Sequence, residues 1–206
     1  METRPEEFPE KTLSIVTWTL LSNSSGRISP CSLPHYVAKL PFGGQAVLWH
    51  QDGSYWPLEL MEVVTLWLAV GDSTPENGCM RVIPGTQTMT IQEVHERTDV
   101  NNVLGSGKDP SLVDESKAAD LLLKAGDVSF HHPNLIHGSK ANTSLKWRRG
   151  LTISYIPTPT RIVADEQPYP SAFLLRGQAV PGVNEHTTRG RSTWKASTCP
   201  SGGVRD

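Results

Sequence analysis

Short runs of β-branched and aromatic residues recur along this chain, each bounded by glycine, proline or serine. Such runs predict strands, because these side chains fit a pleated, half-buried surface and the bounding residues favour turns. The predicted strands cover residues 13–21, 35–40, 45–49, 63–70, 79–83, 128–131 and 147–156. Many short strands with little helix indicate a sandwich or a closed barrel.

The segments between the strands are expected to be turns, loops and minor helix. The strands over 63–70 and 79–83 are close in sequence and predict a hairpin with a longer loop. Residues 117–123 and 172–177 are candidates for short helices. Residues 87–114 are polar and irregular, and a long insert of this kind in a compact domain is often a lid or a binding loop.

The length of 206 residues is enough for one domain with a substantial core. We expect a divergent N-terminal segment over 1–34, a β domain over 35–183 and a disordered polar tail over 184–206. The net charge of −2 gives no electrostatic reason to expect a nucleic acid or an anionic membrane as partner.

The N-terminal residues and the cysteines bear on the cellular compartment of the protein. No apolar run approaches the length of a membrane span, and the acidic N-terminus lacks the features of a secretion signal. Cys31, Cys79 and Cys199 form an odd, scattered set, which indicates reduced thiols. The expected location is therefore the cytoplasm.

Two histidine-bearing motifs carry the candidate chemistry. In VLWHQDGSYW, His50 and Asp52 are two residues apart, and on a strand they would point to the same face. Burying two such groups is costly without a partner, and a divalent metal is one such partner. The second motif, FHHPNLIHGS, offers His131, His132 and His137. Two histidines and one carboxylate suit a non-heme Fe(II) oxygenase, although zinc hydrolases use a similar set.

An arginine adds a third element to this pattern. Arg148 follows His137 at the start of the next predicted strand, where its guanidinium could bind a carboxylate through two parallel hydrogen bonds. Metal ligands together with an arginine that can bind a carboxylate describe a site for an iron-chelating 2-oxo acid. Arg149 could bind the carboxylate instead. Side chains alternate along a strand, so only one of the two arginines points inward, and spacing from His137 favours Arg148.

The runs WHQDGSYWP, VVTLWLAVGDSTPENGCMRVIPGTQ and LKAGDVSFHHPNLIHGS together resemble the phytanoyl-CoA dioxygenase family, over about residues 39–176. The resemblance implies a double-stranded β-helix (jelly-roll) fold and an oxygenase that uses Fe(II), 2-oxoglutarate and O2. It also implies that His50, Asp52 and His137 are the iron ligands. Arg148 matches the arginine that binds the distal carboxylate of 2-oxoglutarate.

Further residues match family positions around the co-substrate. Ser139 matches a frequent hydroxyl partner of the distal carboxylate, and Lys39 matches a lysine near the same site. Trp67 matches an aromatic beside the co-substrate, although it could equally be plain core. Three residues either contact substrate or cover the barrel mouth: Gln45, Tyr55 and Trp56.

The resemblance implies a small-molecule substrate. The aromatic residues near the first motif favour an apolar or aromatic metabolite, such as an alkaloid tailored in secondary metabolism, and we expect a monomer or homodimer. Family members usually carry a longer segment before the first motif, so a truncated, catalytically inactive paralogue is the alternative. A third hypothesis is a cupin-type isomerase or hydrolase, against which Arg148 and Ser139 argue.

Overall fold

A computed structural model of the chain describes residues 28–30, 35–163, 172–175 and 177–187. Within these ranges the regular elements are short strands and single turns of 3-10 helix. The strands are β1 (Ile28–Pro30), β2 (His35–Lys39), β3 (Val47–His50), β4 (Leu58–Glu59), β5 (Val64–Ala69), β6 (Met80–Val82), β7 (His95–Glu96), β8 (Ser106–Gly107), β9 (Ala119–Asp120), β10 (Val128–His131), β11 (His137–Ser139), β12 (Arg148–Pro157), β13 (Arg161–Ile162), β14 (Ala172–Phe173) and β15 (His186–Thr187). The 3-10 helices are Asp52–Tyr55, Thr86–Thr88, Pro110–Leu112 and Glu115–Lys117.

Two antiparallel sheets make the core of the fold. In the larger sheet β12 is central, with β1 and β2 along one edge and β5 and then β10 on the other. The smaller sheet has the order β3-β11-β6-β9. Along the chain, β2, β3, β5 and β6 fall alternately in the larger and the smaller sheet, which is the winding of a jelly roll. The predicted all-β jelly-roll fold is confirmed.

The space between the sheets is filled from both sides. Trp67 and Ala69 of β5 pack against Met80 and Val82 of β6, and all four are buried. Residues of β5 alternate, so that every second side chain points into this layer. The two sheets therefore share one interior, and side chains that point inward from either sheet can meet there.

The predicted hairpin over 63–70 and 79–83 is wrong. Both edges of β5 are already paired, with β12 on one side and β10 on the other, so β5 has no free edge for β6. Residues 71–78 instead cross from the larger sheet to the smaller one. Asn77 shapes this crossing, because its side chain accepts a hydrogen bond from the amide of Thr74 and donates one to the carbonyl of Asp72.

The helix predicted over 117–123 is also wrong. Only Glu115–Lys117 forms a single 3-10 turn, and β9 then pairs with the free edge of β6. Ala119, Leu121 and Leu123 alternate with polar or exposed residues and pack on the Trp67 cluster. Pairing with a sheet edge and a period of two override the helix propensity of this alanine- and leucine-rich stretch.

Beyond β12 the chain has no helix within the described residues. The short helix predicted over 172–177 is replaced by β14, which pairs in parallel with β15. The strand predicted over 13–21 lies outside the described residues, and the boundaries proposed for the domain stay predictions. No helix in the described ranges is long and apolar enough to cross a membrane.

Candidate metal centre and carboxylate pocket

The pairing of β3 with β11 brings two histidines together. His50 ends β3, His137 begins β11, and the two are direct partners in the antiparallel register, with ring centroids 4.2 Å apart. Nδ1–H of His50 donates to the carbonyl of Leu48 at 2.8 Å, and that of His137 donates to Leu135 at 2.9 Å. A carbonyl can only accept, so each Nδ1 carries a hydrogen, and Nε2 is the nitrogen that offers a lone pair in the neutral tautomer.

Asp52 reaches the same point by a route that the sequence did not indicate. It does not extend β3 but opens the 3-10 helix Asp52–Tyr55. This turn places its Oδ1 3.5 Å from Nε2 of His50 and 3.5 Å from Nε2 of His137. The prediction that His50 and Asp52 share a strand face is wrong, although the two side chains do converge.

The donor set formed by His50, Asp52 and His137 fits a divalent metal. Their ligand atoms all lie within 4.8 Å of one another. Two imidazole lone pairs and a carboxylate oxygen face each other, an arrangement that is repulsive unless a cation lies between them. Two histidines and one carboxylate match the set that holds non-heme Fe(II), so these residues would hold that ion.

Burial and charge set the protonation of the centre. Burial, together with neighbouring His50, lowers the pKa of His137 to about 3, so its ring is neutral near pH 7. Burial opposes ionisation of Asp52, yet the hydrogen bond that His131 donates to Oδ2 helps to hold the pKa of its carboxyl well below the usual range. The centre therefore offers a neutral His137 and a carboxylate, the forms that bind a metal.

The other two histidines of the second motif have different surroundings. Nε2 of His131 lies 3.2 Å from Oδ2 of Asp52, the oxygen that faces away from His50 and His137. Nδ1 of His132 accepts a hydrogen bond from the amide of Asn134, so this ring caps the turn that leads into β11. Neither belongs to the cluster of donor atoms.

Two buried cations lie beside the metal centre. Lys39 and Arg148 are direct partners between β2 and β12, and they are 1% and 3% exposed. Nζ of Lys39 donates to Oγ of Ser139 at 2.7 Å and to the carbonyl of Lys140. Nε of Arg148 donates to the carbonyl of Gly78 at 3.1 Å, while its buried Nη1 has no partner in the described part of the chain.

The charges of this pair are not balanced. Neither Lys39 nor Arg148 forms a salt bridge among the described residues. Burial and the charge of Arg148 lower the pKa of Lys39 to about 7, and burial lowers the pKa of Arg148 to about 10. Buried charge without a partner is costly, so the pocket fits an anion such as a carboxylate. Ser139 is two residues after His137 on β11, which joins this pocket to the metal centre.

Trp67 belongs to the core and lies beside Arg148. It is 3% exposed and belongs to the central cluster, and the guanidinium of Arg148 lies 5.2 Å from the centre of its ring. Arg149 is exposed and lies over the ring of Trp147 instead. Of the two candidate arginines, Arg148 is therefore the one that points inward, as the spacing predicted.

The three candidate residues at the mouth differ in their surroundings. The ring of Tyr55 meets His50 edge-on at 5.9 Å, and its hydroxyl bonds to Oγ of Ser106 at 2.8 Å. Trp56 is partly buried and packs against the apolar cluster of Val63. Gln45 is exposed just before β3.

Gln51 is a site-forming residue that sequence reasoning missed. It is fully buried, and its amide donates to the carbonyls of Thr90 and Asn134 while its carbonyl accepts from the amide of Gln92. It thereby ties the predicted lid segment to the turn before His137. The one feature of the sequence that could have indicated this role is the position of Gln51 between His50 and Asp52.

The fold and this site define a jelly-roll protein with a histidine–aspartate–histidine cluster beside two buried cations that have no acidic partner among the described residues. The family model for phytanoyl-CoA dioxygenase (PhyH) matches residues 15–150, and the chain belongs to this family. The family predicted from the sequence motifs is thereby confirmed.

Individual relatives agree with this assignment. The "Phytanoyl-CoA dioxygenase domain-containing protein 1" of Bos taurus is 33% identical over 121 residues, covering 57% of this chain and 41% of that protein. The structure of the non-heme monooxygenase ThoJ in its apo form superposes with a TM-score of 0.67 at 25% identity, covering 84% of this chain and 61% of that one. EvdO2 from Micromonospora carbonacea var. aurantiaca, complexed with 2-oxoglutarate, gives a TM-score of 0.54 at 25% identity, covering 66% and 55%. The chain spans about two fifths of the length of the curated relatives it matches.

Proposed function

We propose that this chain is an Fe(II)- and 2-oxoglutarate-dependent dioxygenase that oxidises, by hydroxylation, a small molecule. The observation that carries the proposal is the convergence of free lone pairs from His50 and His137 on Oδ1 of Asp52. The unbalanced cations Lys39 and Arg148 support it, since they suit the far carboxylate of a 2-oxo diacid. The binding of 2-oxoglutarate by EvdO2, a protein of the same fold, is consistent with it.

Each residue of the site has a role that its contacts define. Bound Fe(II) would supply O2 activation, coupled to conversion of 2-oxoglutarate into succinate and CO2. His50, Asp52 and His137 hold the ion. Arg148 anchors the distal carboxylate, with Nη1 free to donate to it. Ser139 accepts a hydrogen bond from Lys39, so its own hydroxyl hydrogen is available to the same carboxylate.

The substrate in this proposal is an apolar or aromatic small metabolite, of the kind tailored in secondary metabolism. Tyr55 presents its ring to His50, and Ile91 and Met61 pack closely around Gly53 beside the metal ligands. These side chains offer apolar contact close to the reacting position. Residues 87–114, bound to the site through Gln51, would serve as the lid that excludes water.

The test is anaerobic titration of the purified protein with Fe(II) and 2-oxoglutarate, followed by visible absorbance. We expect a weak charge-transfer band that requires both additions, disappears in Arg148→Ala and persists in Arg149→Ala. The second variant is a matched control because Arg149 is the neighbouring arginine on the same strand and points outward. No band from folded wild-type protein would overturn the proposal and favour the inactive paralogue.

A further inference from the structure

Three polar side chains form a row on the inner face of the larger sheet, directly below Asp52. Ser154 of β12 is the register partner of Thr65 of β5, and Thr65 is in turn the partner of His131 of β10. All three are buried, at 4%, 3% and 7% exposure. We name Ser154, Thr65 and His131 the polar row. Farther along β5 the same face carries the apolar core, so three adjacent strands place polar groups at this one level.

The polar row and the metal centre contact different oxygens of Asp52. Oδ2 lies 3.2 Å from Nε2 of His131 and 3.4 Å from Oγ1 of Thr65, and Thr65 is 3.1 Å from the hydroxyl of Ser154. Oδ1 lies on the other side, facing His50 and His137. Because a carboxylate only accepts, His131 and Thr65 donate to Oδ2, and Ser154 donates to Thr65.

The protonation of His131 follows from this contact. Its Nε2 carries the hydrogen that Asp52 accepts, because a carboxylate can only accept. Nδ1 of His131 is buried and has no partner among the residues the structure describes. A buried nitrogen without a hydrogen bond is unfavourable. The charge-assisted hydrogen bond to Asp52 offsets this cost and stabilises the ring in the core.

We propose that the polar row, and His131 above all, is a positioning device that occupies Oδ2 and presents Asp52 to the metal through Oδ1. This inference rests on the proposed function, because it assumes that His50, Asp52 and His137 bind a metal. His131 acts through Asp52 and is no ligand, since its ring nitrogens lie outside the cluster of donor atoms. Partners that orient a ligand in this way typically account for a 10–100-fold share of metal affinity.

The test compares His131→Leu, which removes the donor, with His131→Gln, whose terminal amide keeps a donor near the position of Nε2. Co(II) serves as the probe, and both its dissociation constant and its visible ligand-field spectrum are measured on the full chain. We expect His131→Leu to weaken Co(II) binding by roughly 10–100-fold and to alter the spectrum. His131→Gln should stay within a few-fold of wild type and keep its spectrum, a rescue that a merely structural role would not produce.

Ser129→Ala is the control, because Ser129 is buried on the same face of β10 two residues earlier and its hydroxyl has no partner in the described ranges. If His131→Leu fails to fold, His131→Asn replaces it, since its shorter side chain withdraws the amide from Oδ2. Wild-type affinity in the donor-less variant, or equal losses in His131→Leu and His131→Gln, would overturn the inference alone. Failure of the wild type to bind Co(II) would overturn it together with the proposed function.

Discussion

Gly150 of β12 lies flat against the indole of Trp67 on the neighbouring strand β5, with no room for a β-carbon between them. The guanidinium of Arg148 also lies near this indole, 5.2 Å from the ring centre. Gly150 therefore limits where the ring, and with it the arginine, can lie. The packing of the core and the placement of Arg148 are coupled at this point.

Gly150→Ala is expected to displace Trp67, because the added methyl group would overlap the ring. Overpacking of this kind costs about 1–3 kcal/mol of unfolding free energy. We expect a lower melting temperature and weaker binding of 2-oxoglutarate, measured by thermal unfolding and calorimetry. Gly71→Ala is the matched control, since nothing lies within 4 Å of the position its β-carbon would take. Equal melting temperatures for Gly150→Ala and wild type would contradict the coupling.

Metal binding is expected to stabilise the fold. An ion that binds only the folded chain raises the unfolding free energy by about 2.7 kcal/mol at a concentration of 100 times its dissociation constant. Anaerobic addition of Fe(II) should therefore raise the melting temperature, and a chelator should reverse the rise. His137→Ala removes one of the three ligands and should abolish both the thermal shift and any succinate formation with substrate. A shift of wild-type size in that variant would refute the ligand assignment.

Acid should destabilise the metal-free protein. The pKa of His137 is about 3 in the folded protein against an ordinary 6.5, so between these values the unfolded chain binds a proton that the folded chain does not. Stability therefore falls as the pH decreases from about 6.5 towards about 3, by up to about 1.4 kcal/mol per pH unit. Asp52, whose pKa is also depressed, adds a loss in the same direction at lower pH.

Urea unfolding of chelator-treated protein between pH 7 and pH 5 measures this dependence. His137→Gln cannot take up the proton in either state, so its stability should change less over the same range. A slope that is the same in wild type and His137→Gln would show that the buried ring of His137 is not its source.

Binding of 2-oxoglutarate should weaken as the pH rises above about 7. Lys39 has a pKa of about 7, lowered by burial and by Arg148, so it loses its proton above that pH in the unliganded site. A dicarboxylate favours the ammonium form, and binding above pH 7 must therefore take up a proton. Calorimetry from pH 6.5 to 8.5 in buffers of different ionisation enthalpy measures that uptake. Lys39→Met should bind more weakly at pH 6.5 and show no uptake, and proton uptake that persists in this variant would contradict the role of Lys39.

The local parts of the site were predictable from the sequence. His50 and His137 stand in short motifs at strand ends. Alternation along β12 allowed only one of its two arginines to point inward, and spacing from His137 favoured Arg148 over Arg149. Asp52 reaches the same centre through a 3-10 turn, which the spacing of two residues does not distinguish from a strand. The motif therefore named residues whose side chains do converge, but through a different local geometry from the one predicted.

The parts that depend on sheet order were not predictable. The contact of His131 with Asp52 arises because β10 pairs with β5, and neither strand carries a signal of that pairing. The same holds for the wrong hairpin, since only the complete sheet shows that β12 and β10 occupy both edges of β5. In the stretch from Ala119 to Leu123, a free edge of β6 overrode an intrinsic helix preference.

The sequence distances across the site bear on how the protein acquires it. Asp52 and His131 are 79 residues apart, and Lys39 and Ser139 are 100 residues apart. Contacts between such distant positions form late, because the entropy of closing long loops is lost before they are made. Under the proposed function, a nascent chain lacks the ligand His137 until β11 has been synthesised, and it lacks Arg148 until β12 follows. In this proposal, metal binding would therefore follow closure of the barrel.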